Sequence, residues 1–141
     1  MYSQTLHPRN VITPAVLDAD TESAAIDLQG HYAASFLISV GAGGITFTAT
    51  NKLEFLLLHS DDNATYSAVD ASDVDKVTAV GTNGEVLTFI SAHAAAGSYI
   101  VNYVGGRRYV KLKADFSGTH AAGTAISAVV ALGHPMLASA A

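Results

Sequence analysis

The sequence predicts an all-β chain, an antiparallel β-sandwich of jelly-roll type preceded by an extended N-terminal arm. Three observations predict it. Short runs of alternating apolar and polar residues recur from Ser23 onward, punctuated by Gly, Asn and Asp, as in half-buried strands joined by turns. No helical segment of crossover length separates these runs, so a parallel sheet has nothing to connect it. Pro8 and Pro14 interrupt the first residues, where neither a helical nor a strand period is sustained. Residues 1–19 therefore read as the arm and residues 20–141 as one sandwich domain, a length that buries a single core.

The strand runs, in order, are SAAIDL, ASFLISV, ITFTAT, KLEFLLLHS, ATYSAV, EVLTFIS, SYIVNYV, RRYVKLKADF and AISAVVAL. Gly41, Gly43 and Gly44 read as a hairpin connection between ASFLISV and ITFTAT, because a phosphate-cradling glycine loop opens onto a helix and here a β run follows. Leu53 to His59 is apolar on both alternate faces, with Leu53, Phe55 and Leu57 on one and Leu56 and Leu58 on the other, the pattern of an interior strand covered on both sides. DASDVDKV predicts one helical turn with Ser72 capping backbone amides, and SAHAAAG reads as either a helical turn or a loop.

Tyr103 to Phe116, YVGGRRYVKLKADF, holds four of the chain's seven Lys and Arg residues. Gly105 and Gly106 predict a two-residue hairpin turn, since both central positions of such a turn take positive φ. In that register Val101 faces Val110 and Tyr99 faces Leu112. The core face carries Tyr99, Val101, Tyr103, Val110, Leu112, Ala114 and Phe116. The opposite face carries Ile100, Asn102, Val104, Arg107, Tyr109, Lys111, Lys113 and Asp115. One reading of it is a solvated outer face whose lysines discourage edge aggregation. The other is a docking strand for an acidic protein surface, with Tyr and Arg as anchors.

Composition narrows the function classes. The formal net charge of -5 repels nucleic acid and anionic lipid, so neither is an expected partner. No apolar run approaches the roughly 18 residues of a membrane-spanning helix. Only 13% of residues are charged, which favours a subunit whose surface is partly covered by neighbours. There is no cysteine, so disulfides and thiolate chemistry are excluded. The N-terminus lacks the basic and apolar regions of a secretory signal, which fits synthesis in the cytoplasm.

No catalytic pattern emerges, and no enzyme activity, cofactor or metal is expected. The six histidines, His7, His31, His59, His93, His120 and His134, show no pair at metal-ligand spacing. No G-x-S-x-G elbow marks a nucleophile. Asp61, Asp62, Asp70, Asp73 and Asp75 cluster between His59 and Lys76 without the spacing or closing glutamate of a calcium loop, and read as turn residues.

Three stretches together carry a resemblance: SAAIDLQGHYAASFLISVGAGG, KLEFLLLHSDDNATYSAVDASDV and YVGGRRYVKLKADFSGTHAAGTAISAVVALGHP. Their most specific parts are Ile26-Asp27 before Gly30, Ser60-Asp61-Asp62 with Tyr66, and the Gly-Gly-Arg-Arg-Tyr stretch. From Ser23 to Pro135 the chain resembles small β-sandwich proteins encoded among the head and structural genes of tailed bacteriophages and prophages. The resemblance implies a virion structural protein, above all a capsid decoration or cement protein synthesised in the bacterial host and bound to the outer shell. Its expected partners are the major capsid protein and further copies of itself, a trimer by analogy with proteins that fill threefold positions. The expected contacts are the N-terminal arm, through Tyr2 and Arg9, and the face of Arg107, Tyr109, Lys111 and Lys113. Rival expectations are a tail, neck or fibre component, and a carbohydrate-binding module in which Tyr66 and Tyr109 stack on sugar.

Overall fold

The structure is a computed structural model that describes residues 7–135. Eleven strands form in those residues and no helix. They are β1 (His7–Leu17), β2 (Thr21–Glu22), β3 (Ile26–Asp27), β4 (His31–Val40), β5 (Lys52–Ser60), β6 (Ser67–Ala68), β7 (Val74–Asp75), β8 (Glu85–Phe89), β9 (Gly97–Tyr103), β10 (Tyr109–Ser117) and β11 (Thr124–Pro135). One sheet runs β1-β11-β4-β9-β7; the other runs β2-β10-β5-β6, with β3 also on β10 and β8 also on β5. Every pairing is antiparallel. Counting β2 with β3 and β6 with β8 as interrupted single strands, and setting aside the two-residue β7, gives eight strands. Their order is 1-8-3-6 in one sheet and 2-7-4-5 in the other, which is a jelly roll.

The core lies between the sheets. Phe36, Ile38, Val101, Val130 and Leu132 from the first sheet face Leu53, Phe55, Leu57, Val110 and Leu112 from the second, all fully buried. Phe47 closes one end of this layer, packing near Phe89 and His120.

Several expectations change in three dimensions. His7–Leu17, expected within an arm lacking strand period, is the edge strand β1 on β11. It tolerates its prolines because an edge strand has one free side and because the register shifts between Ile12 and Ala15, the stretch that contains Pro14. Tyr103 to Phe116 is not a hairpin. β9 pairs with β4 and β7 while β10 pairs with β5, β2 and β3, so residues 104–108 cross from one sheet to the other. Only Gly106 of the glycine pair has positive φ, at 79°, where a two-residue hairpin turn needs two such residues. The predicted inward set nonetheless holds, because alternation determines which way a side chain points whatever strand lies alongside.

Residues 41–51 likewise connect the two sheets, and ITFTAT forms no strand. Their backbone bonds go elsewhere: Gly41 N–H to Ala125 O, Gly43 N–H to His93 O and Gly44 N–H to Thr124 Oγ1. The helical turn expected in DASDVDKV is a tight turn closed by Asp73 N–H to Asp70 O at 3.0 Å. Asp70, not Ser72, supplies its acceptor, taking bonds from Ser72 N–H and Oγ–H. SAHAAAG is a loop leading into β9. β5 is an interior strand as expected, between β10 and the β6/β8 pair.

Candidate interaction surface

The two outer faces of the sandwich differ in charge. On the β10–β5 face the outward positions are Tyr109, Lys111, Lys113 and Asp115 beside Ser60, Leu58, Leu56 and Glu54. Leu56 and Leu58 therefore stand directly beside Lys113 and Lys111 across the strand pair. The lysine ammonium heads are engaged within the chain. Lys111 Nζ lies 3.1 Å from Glu22 and 4.5 Å from the centre of the Tyr66 ring, and Lys113 Nζ lies 3.3 Å from Asp20. Arg108 forks onto Asp27 with bonds of 3.0 and 2.9 Å, and that guanidinium holds the Asp27 carboxyl below its ordinary range. Arg107 sits 3.9 Å from Asp61. The hydrogen bond to Asp20 raises the Lys113 ammonium, while burial and the neighbouring Asp20 raise the Asp115 carboxyl.

The structure thus brings Tyr109, Lys111 and Lys113 together on one sheet. It places Arg107 on the crossover beside them and separates Ile100 and Asn102 onto the other sheet. Arg9 stands exposed on β1 opposite Val130. Tyr2 lies outside the described residues.

The outer face of β1-β11-β4-β9 is of another kind. Its central cross-strand row is Val129–Leu37–Ile100, side by side on β11, β4 and β9, and 40%, 40% and 52% exposed. On one side of that ridge runs Ser127–Ser39–Ser98, and on the other Ala131–Ser35–Asn102, with Gly133–Ala33 beyond. Val16 opposite Ala125 and Asn10 opposite Val129 continue the face onto β1. No charged side chain occurs in these rows; the first charges are Asp75 and Lys76 at the β7 rim. Ser35 Oγ donates to Asn102 Oδ1 at 2.7 Å, so part of the face's polarity is already satisfied. Sequence reading passed over Leu37 and Val129. The available signal was that every outward position of ASFLISV and of SAVVA is uncharged.

Several other titratable groups have structural partners, whereas His31 Nδ1 and His120 Nδ1 are buried without a hydrogen-bond partner among the described residues. His59, buried, meets Tyr103 Oη at 2.9 Å through Nδ1, and burial holds its pKa below the ordinary histidine value. Tyr103 also accepts the Arg107 N–H at 3.1 Å, and burial pushes its phenol up to about 12. His93 bridges Gly41 O and Tyr99 Oη, both at 2.9 Å. Asp62 closes the Ser60–Thr65 turn by accepting the Thr65 and Ala64 amides, which draw its carboxyl down to about 2. Among the described residues no three His, Asp or Glu side chains converge as metal ligands.

No family model matches the chain, and no curated protein matches it. Two solved structures are similar in overall course. A chain from Bacillus endospore appendages, of a family of disulfide-linked pili, aligns at TM-score 0.44 and 14% identity over 94% of this chain and 92% of its own. The SPBc2 prophage-derived protein YomS aligns at TM-score 0.47 and 8% identity over 93% of this chain and 96% of its own.

Proposed function

We propose that this chain is a structural protein of a tailed-bacteriophage particle that decorates the capsid shell and works by non-covalent contact in many copies, without catalysing a reaction. The observation that carries the reading is the unequal charging of the two outer faces. One face holds its cations and carboxylates in paired, water-facing networks. The other presents an apolar ridge flanked by serine and alanine, a composition suited to burial against protein. The resemblance of Ser23 to Pro135 to small β-sandwich proteins encoded among phage head and structural genes supplies the particle, and the major capsid protein is the proposed shell partner. A subunit that makes several weak contacts at once holds its neighbours far more firmly than any one contact would.

The test is quantitative mass spectrometry of gradient-purified particles from the host carrying the gene, read as copies of this chain per copy of the major shell protein. A ratio near one, or a simple fraction of it, is expected. A few copies per particle would assign the chain to the neck, tail or fibre, and absence from the particle would remove the virion reading.

A further inference from the structure

We propose that the uncharged face of β1-β11-β4-β9 is where two copies of this chain stack back to back around a two-fold axis passing near Leu37. This rests on the reading above only in taking that face as a buried surface.

Four observations select a second copy as the occupant. The first is electrostatic. A chain of net charge -5 repels its own copies, and the repulsion is least where neither copy carries charge at the contact. The second is self-complementarity. A two-fold interface must fit itself, and a centred ridge meets that need. With the axis in the plane of contact, Leu37 meets Leu37 of the other copy whether the axis runs along the strands or across them. Along the strands, Val129 meets Ile100 and the serine row meets its own copy.

The third observation is area. With the axis across the strands, which keeps all four in the contact, four strands at a spacing of about 4.8 Å and about nine residues long project roughly 570 Å² per copy, or about 1,100 Å² for the pair. That reaches the roughly 1,000 Å² expected of a specific interface and lies at the weak end of the range. The fourth is that the alternative route, strand addition along the long β1 edge of this sheet, is obstructed. β1 carries Pro8, Pro14 and two register shifts, and at the other edge β7 already pairs with Asn102 and Tyr103 of β9. A hollow of about 540 Å³ bordered by Ser35, Leu37, Lys76, Ser98, Ile100 and Asn102 lies beside the ridge and puts Lys76 at the rim of the contact, outside the ridge itself.

Sedimentation of the full chain tests the proposal, at a concentration of about 0.2 mM chosen for an interface of this size. The wild type is expected as a dimer. Leu37→Asp sets two carboxylates against each other at the axis and should weaken the dimer by about 100-fold or more. Ile90→Asp, at an exposed apolar residue off this face, should leave it intact. Because the chain has no cysteine, Leu37→Cys introduces a single thiol. Facing sheets stand about 10 Å apart, beyond disulfide reach, so a short bismaleimide should link the two copies where Ile90→Cys gives no link. A monomeric wild type, a trimer, or a dimer that survives Leu37→Asp and is not linked through Leu37→Cys would overturn the proposal. None of these results bears on particle stoichiometry, which tests the virion reading separately.

Discussion

Tyr103→Phe removes one oxygen from the point where the crossover between the sheets is fastened. That oxygen lies 2.9 Å from His59 Nδ1 and accepts the Arg107 N–H at 3.1 Å, while the Tyr103 side chain is 1% exposed. Phenylalanine keeps the ring packing, so the loss is confined to the two hydrogen bonds. A buried group left without its partner costs about 1–3 kcal/mol; His59 belongs near the top of that range and the half-buried Arg107 amide near the bottom. The expected total is about 4 kcal/mol, equivalent to a fall in Tm of about 13 °C for a chain of this size. Urea unfolding measures it, with an unchanged m value indicating that the folded and unfolded states keep their compactness. Tyr99→Phe is the matched comparison. Its hydroxyl also bonds a histidine, His93 Nε2 at 2.9 Å, but at a half-buried site that water can reach, so the cost should stay below about 1 kcal/mol. Equal costs for the two variants would refute the assignment of the crossover's anchoring to Tyr103.

The pH dependence follows from His59. Its folded pKa is depressed by burial, so the unfolded chain binds the proton more readily, and stability present above about 6.5 is lost as pH falls through the folded value. An NMR titration that placed His59 at or above the unfolded value would contradict this. Asp62 should titrate near 2 by carboxyl NMR, contributing stability above the ordinary carboxylate range that disappears as pH falls through its folded value. A titration at the ordinary aspartate value would show that the turn amides do not bind it in solution. Gly44→Ala drives a Cβ into the carbonyl oxygens of Gly123 and Ala122, so thermal unfolding should show a loss of about 2–4 kcal/mol. Gly106→Ala meets nothing within 4 Å and is opposed only by its φ of +79°. It should cost about 1 kcal/mol, and a larger loss than at Gly44 would reverse the order of steric and backbone effects.

Alternation along SYIVNYV and RRYVKLKADF determined which side chains enter the core, and the inward set from Tyr99 to Phe116 is as read. The same residues said nothing about which strand lies beside which, because a period of two specifies a face and not a neighbour. That is why β9 and β10 read as one hairpin and belong to two sheets. The tethering of Arg108 to Asp27 and of Lys111 to Glu22 escaped notice for the same reason, since each pair joins residues far apart in the chain. Composition alone determined that charge is scarce and cysteine absent. Where the charge is missing was decided by the tertiary structure. Val129, Leu37 and Ile100 form a ridge only because antiparallel pairing sets three distant strands in register, and a surface is a property of that register.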